Sequence, residues 1–169
     1  FEPGSHWMYG MSFDVLGAVI EEIAGMTLDE YCRKYICTPL GLKDTGYHLT
    51  PDREARLCSY YNISDPAKPV KFTTKDDYYQ PEAKFERGGG GMLSTLPDYM
   101  TFADTLRRGG TSADGARILG RKTVDLMRAN HLGPAQMADI NWPSLAGYGY
   151  GFGVRTLVDP TRGGINSSM

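Results

Sequence analysis

Cysteine is scarce: only Cys32, Cys37 and Cys58 occur among 169 residues, and no two of them form a Cys-x-x-Cys pair. An odd, scattered set excludes a disulfide framework or a cysteine-ligated zinc cluster as the organising device, and points to reduced thiols. Charge of one sign is also lacking, since 18 basic against 20 acidic side chains leave a formal net charge of −2. Such a balance creates no strong field, so neither nucleic acid nor an anionic membrane surface is an expected partner. No run of about 18 apolar residues occurs, which predicts no membrane-spanning helix. Three catalytic signatures are missing as well: no lysine has a serine three positions before it, and neither Gly-x-Ser-x-Gly nor His-Glu-x-x-His is present. His6, His48 and His131 are scattered without ligand spacing, so no metal and no cofactor is expected. The chain opens Phe1-Glu2-Pro3-Gly4, with neither an initiating methionine nor a signal-peptide pattern, and reads as beginning inside a longer protein.

What is present is an ordinary globular composition, 41% hydrophobic and 22% charged, on a chain long enough for one domain with a core. Phe13, Leu16, Val19, Ile20 and Ile23 repeat at helical spacing up to Gly25. Thr27-Leu28-Asp29-Glu30 has the form of a capping box opening a second helix, which is expected to end before Pro39. From about Leu40 to Gly91 the pattern is irregular, broken by prolines and carrying the pairs Tyr60-Tyr61 and Tyr78-Tyr79. Thr95, Pro97 and Asp98 mark a helix start, with the helix running to about Arg108 and stopped by Gly109-Gly110. A fourth helix is predicted over about 122–130, with Val124 and Met127 inward. Tyr148, Tyr150, Phe152 and Val154 alternate with small residues, predicting a strand that extends to about Val158. A lone strand is not stable by itself, a second sign that this is part of a larger domain.

Two local features carry candidate chemistry. The run Gly88-Gly89-Gly90-Gly91 lacks the Gly-Lys-Ser/Thr ending of a phosphate loop and reads as a turn or a close backbone approach. The stretch Pro3-Gly4-Ser5-His6-Trp7-Met8-Tyr9-Gly10-Met11-Ser12 leads from a Pro-Gly turn to a tyrosine just ahead of a helix. Composition alone makes Tyr9 a core aromatic with a satisfied hydroxyl. Its position offers another role, because a helix N-terminus and a nearby cation favour the phenolate, which can then act as a base.

The stretch from Phe1 to Gly17 resembles the second conserved block of the β-lactamase-related serine hydrolases. That family includes class C β-lactamases, D-aminopeptidases, penicillin-binding relatives and family VIII carboxylesterases. Pro39-Leu40-Gly41-Leu42-Lys43-Asp44-Thr45-Gly46 resembles the family's next block, and Gly89-Gly90-Gly91-Met92-Leu93-Ser94-Thr95-Leu96-Pro97-Asp98 the one after. Gly109-Gly110, Arg117-Ile118-Leu119 and Tyr148-Gly149-Tyr150-Gly151-Phe152 complete the order over roughly 1–155.

The resemblance implies an α+β fold. Residues 1–169 would form part of a β-lactamase-related domain, mostly its helical lobe (1–140), with one or two strands (147–159) joining its antiparallel sheet. It implies an acyl-enzyme mechanism in which a Ser-x-x-Lys serine lies outside this chain and Tyr9 shares its proton relay. The family's asparagine two residues beyond that tyrosine helps to hold the amide of β-lactams. Met11 stands there instead, as pocket lining or as packing, and a thioether donates no amide hydrogen bond. The expected activity is therefore a carboxylesterase acting on small acyl esters. β-Lactamase or D-aminopeptidase and penicillin-binding activity is the alternative, and a non-catalytic scaffold keeping the fold is the alternative of another class. The expected partners are a small-molecule ester or amide and the remainder of the same domain. Without that remainder the chain is expected to be inactive, with apolar surface exposed where the sheet would lie. Tyr60, Tyr61, Tyr78 and Tyr79 are open to two readings, lining of the acyl pocket or surface packing.

Overall fold

The computed structural model describes residues 1–71 and 85–163. The chain divides into two compact units, one formed by residues 11–104 and the other by residues 1–10 with those from 105 onward.

In the first of these, α1 (Ser12–Ala24) ends where Gly25 adopts the left-handed conformation (φ 63°) that closes a helix. Its buried face is its smallest one. Gly17 and Asp14 are buried, while Val15, Leu16, Val19 and Ile23 are exposed, Ile23 at 82%. The glycine and aspartate face inward because the backbone of the glycine run packs there. Asp14 Oδ1 accepts the Gly89 N–H at 3.0 Å, and a side chain at Gly88 would collide with the Phe13 carbonyl oxygen. The run thus serves both readings its composition left open, a close backbone approach at Gly88 and a turn closed by the Gly91 amide on the Arg87 carbonyl at 3.1 Å.

The capping box forms as read. Thr27 Oγ1 accepts from the Glu30 amide at 3.2 Å, and the Glu30 carboxylate accepts from the Thr27 amide at 3.0 Å, opening α2 (Leu28–Cys32). The helical path does not stop before Pro39, however. It continues through a π-turn (Arg33–Cys37) into α3 (Thr38–Leu40), with Gly41 (φ 67°) as its cap. The wide turn is the physical reason, because hydrogen bonds there span five residues, as in Thr38 N–H to Arg33 C=O. The lengthened turn relieves the clash of the proline ring with the preceding turn that ends an ordinary α-helix. Leu28, Cys37, Leu40, Leu42, Tyr47 and Leu49 form this unit's buried apolar core. The three cysteines are free, and burial pushes the Cys32 thiol up to about 11, which keeps it in the unreactive protonated form.

Among its described residues the irregular stretch holds a short helix, α4 (Pro51–Glu54), and a two-residue antiparallel ladder between β1 (Tyr61–Asn62) and β2 (Val70–Lys71). Tyr61 on that ladder and Tyr60 just before it are exposed; Tyr78 and Tyr79 lie outside the described residues. Helix α5 (Leu96–Arg107) then begins, and its Asp98 does more than face a helix end. The Asp98 carboxylate accepts the Asp44 amide at 2.8 Å and the Thr45 hydroxyl at 2.9 Å, while Thr45 Oγ1 also meets Ser94 Oγ at 2.9 Å. A β-bridge between Gly46 and Leu93 completes the seam. Two motif blocks roughly fifty positions apart in sequence are thereby one structural element.

A second polar cluster is centred on Asp29. Its Oδ1 accepts the Tyr47 amide at 2.9 Å, its Oδ2 accepts from Arg33 at 2.7 Å, and its own amide donates to Glu86, whose other oxygen meets His48 Nε2 at 2.7 Å. Burial alone acts to raise the Asp29 carboxyl, but the Tyr47 amide and the Arg33 guanidinium outweigh it and hold the group below its usual value. A carboxylate depressed in the folded state stabilises the fold above its unfolded pKa of about 3.9 and loses that contribution as the pH falls through the lower folded value. Unfolding by urea is therefore expected to become easier as the pH drops below about 4, and Asp29→Asn is expected to flatten that dependence. Identical pH slopes for the two proteins would remove Asp29 from this role.

In the other unit, Gly109 and Gly110 (φ 76° and 90°) end α5 with the Gly110 amide on the Thr105 carbonyl at 2.8 Å. Helix α6 (Arg121–Met127) is shorter than its sequence pattern implied and buries Val124. Helix α7 (Pro134–Asp139) and a 3₁₀ turn (Pro143–Leu145) follow, neither visible as a periodic pattern. The predicted single strand is two. β3 (Tyr148–Tyr150) and β4 (Arg155–Leu157) pair antiparallel, with Tyr148 opposite Leu157 and Tyr150 opposite Arg155. The chain reverses between them because the Gly151 amide bonds the Val154 carbonyl at 2.8 Å and Gly153 takes a positive φ of 80°. Glycine spacing that imitates strand alternation here encodes a turn.

Candidate active site

The approach to Tyr9 is built from the first residues upward. Pro3-Gly4 forms the expected turn, with the Ser5 amide on the Glu2 carbonyl at 3.0 Å and Gly4 at φ 85°. Beyond the turn, Asp139 at the end of α7 holds the strand-like approach: its carboxylate accepts the Trp7 amide at 2.8 Å and meets His6 Nδ1 at 3.2 Å. The Trp7 amide, with His6 beside it, keeps the Asp139 carboxyl below its usual value. Gln136 of the same helix donates to the Gly4 carbonyl. These bonds fix the backbone on both sides of the turn and two residues before Tyr9.

Tyr9 itself is not a core aromatic. Its ring is 60% exposed, and its hydroxyl makes no hydrogen bond among the described residues. Its ring packs against an aromatic neighbour. The Trp142 ring lies 5.3 Å from it at an interplanar angle of 54°, and Trp7 sits 6.1 Å from both Trp142 and Tyr150. Both tryptophans of the chain, far apart in sequence, therefore meet beside Tyr9. That scarcity was the one available signal for Trp142, which motif reading passed over, as it did Asp139. Tyr150 is held from behind, its amide donating to Asn130 Oδ1 at 3.1 Å and its carbonyl accepting from His131 at 3.0 Å. His131 in turn stacks on Phe152 at 4.1 Å.

Met11 occupies the N-cap position of α1, where its carbonyl accepts the Asp14 amide at 3.0 Å. Its side chain makes no capping bond and is 65% exposed. An exposed thioether at a helix start offers apolar contact and no hydrogen-bond donor. The histidines have structural partners: His6 meets Asp139, His48 meets Glu86, and His131 meets the Leu126 carbonyl at 2.8 Å. In chemical terms the arrangement presents an accessible phenol with a free hydroxyl, clamped through its backbone and walled by aromatic rings. Such a phenol can accept or deliver a proton.

Comparison with known proteins places these observations. The model of the Beta-lactamase family matches residues 1–167. A lovastatin esterase of Penicillium rubens is 33% identical over 141 residues, 82% of this chain and 34% of that protein. A monacolin J acid methylbutanoyltransferase of Aspergillus terreus is 30% identical over 144 residues, 83% of this chain and 33% of that protein. Among solved structures, EstCE1, described as a hydrolase with promiscuous acyltransferase activity, superposes with a TM-score of 0.74 at 30% identity, covering 95% of this chain and 43% of that one. The chain spans between 33% and 40% of the length of such curated relatives. Relatives so named are hydrolases or acyltransferases, and the match is to part of their fold. With its motif blocks in family order and its helices and short antiparallel strands matching this fold, the chain belongs to the beta-lactamase family of hydrolases and acyltransferases.

Proposed function

We propose that the full-length protein is a serine carboxylesterase that hydrolyses small acyl esters through an acyl-enzyme, with Tyr9 as the base of the proton relay. The observation that carries this reading is the exposed, hydrogen-bond-free phenol of Tyr9 on a backbone clamped by Asp139. The serine and lysine of the relay are supplied by sequence outside these residues. Tyr9, as phenolate beside the lysine ammonium, takes the serine proton as the serine oxygen bonds the ester carbonyl carbon. When the tetrahedral intermediate breaks its bond to the alcohol oxygen, Tyr9 returns that proton to the departing alkoxide. Water then repeats the attack on the acyl-serine with Tyr9 again accepting the proton, and as the bond from the acyl carbon to the serine oxygen breaks Tyr9 returns that proton to the serine, releasing the acid and restoring the free serine and the phenolate. An alcohol in place of water completes acyl transfer by the same steps.

Met11 supports esters over β-lactams, because its exposed thioether replaces a group that donates a hydrogen bond to a substrate amide. The test measures p-nitrophenyl butyrate and nitrocefin side by side. Ester turnover is expected to exceed cephalosporin turnover by about tenfold or more, the effect of losing one hydrogen bond of about 1–1.5 kcal/mol to the substrate amide. Nitrocefin turnover exceeding ester turnover would overturn the role given to Met11. Absence of both activities would favour a scaffold that keeps the fold.

A further inference from the structure

We infer that Trp142 is a substrate-contacting residue beside Tyr9, forming a flat apolar platform that selects esters carrying a planar aromatic group. The inference rests on Tyr9 marking the reaction site.

Trp142 is 45% exposed although it is one of the largest apolar side chains in the chain, and its ring lies against that of Tyr9 at 5.3 Å. It is not exposed for want of anchoring. Its carbonyl accepts the Leu145 amide at 2.8 Å, closing the 3₁₀ turn, and Leu145 buries its own side chain. Leu145 thus supplies the apolar anchor of that loop, leaving the indole presented outward. Trp7 meets the indole in a T-shaped contact (6.1 Å, 79°) and is itself backed by Tyr150, so the ring is restrained from rotating away. Asp139 holds Trp7 by its amide and thereby holds the platform and Tyr9 through one short segment. A rigid, half-exposed indole whose neighbour is a free phenol suits a planar π-system stacked offset or edge-on, the arrangement aromatic pairs prefer. Saturated short chains gain less from such a surface.

An aromatic group reaches this platform from the alcohol or from the acyl side of an ester, and the test separates the two. KM and kcat are measured for 1-naphthyl acetate, ethyl 1-naphthoate and ethyl acetate with the full-length protein, Trp142→Ala and Trp142→Phe. Trp142→Ala is expected to raise the KM of one naphthyl ester relative to that of ethyl acetate by about tenfold, and Trp142→Phe to restore most of it. The ester that responds identifies the side that stacks. An unchanged KM ratio for both naphthyl esters, or an equal loss on all three substrates, would mean that Trp142 only packs, and overturns the inference. Calorimetric binding of 1-naphthoate to the wild-type and Trp142→Ala proteins separates this from the hydrolase reading. Binding that depends on position 142 in a protein without esterase activity sinks the hydrolysis alone, and no binding together with no selective KM effect sinks the platform alone.

Discussion

Tyr9→Phe in the full-length protein is expected to lower kcat on a short-chain p-nitrophenyl ester by about 100-fold or more, with KM changed far less. The substitution removes one oxygen and leaves the ring, so the contact with Trp142 at 5.3 Å and the backbone clamp by Asp139 both remain. Because the hydroxyl makes no hydrogen bond among the described residues and the ring is largely exposed, its loss leaves no buried group unpaired, and stability is expected to stay within about 0.5 kcal/mol. A fall in kcat with an unaltered melting curve therefore reports chemistry. An unchanged kcat would remove Tyr9 from the proton relay.

The second large effect concerns folding. Gly88→Ala is expected to destabilise the protein by about 2–4 kcal/mol, since inserting an atom where none fits forces the backbone apart. The clash is with the Phe13 carbonyl oxygen in α1, a main-chain atom that cannot swing aside as a side chain would. Gly90→Ala, two residues on in the same run, has no heavy atom within 4 Å of the new methyl group and no positive φ. It is expected to be neutral or to stabilise by a few tenths of a kcal/mol through the unfolded chain. Chemical denaturation of the two variants checks both outcomes. Equal effects would show that the run matters through its flexibility and not through the contact at Gly88.

Several features were readable before any coordinates because their causes are local. The capping box at Thr27 and Glu30, the stop at Gly25, the Pro3-Gly4 turn and the Gly109-Gly110 helix end each depend on residues within one turn of each other. Local rules erred where a second influence intervened. Pro39 normally ends a helix, but the π-turn over Arg33–Cys37 accommodates it. The alternation at Tyr148, Tyr150, Phe152 and Val154 imitates a strand, but Gly153 turns the chain back on itself to form the β3–β4 hairpin. Helix α7 and the 3₁₀ turn are too short to leave a periodicity.

Taken alone, the sequence determined membership of the family and singled out Tyr9 as a candidate base, because both readings rest on residue types at fixed spacing. Only the tertiary structure decided that Asp98 locks Asp44 and Thr45, that Gly88 lies against α1, and that Trp142 and Asp139 converge on the segment carrying Tyr9. Those pairings join residues from about 50 to more than 130 positions apart. Burial and hydrogen bonding between such segments follow from how the chain is packed, and packing energy depends on neighbours in space that no local pattern encodes.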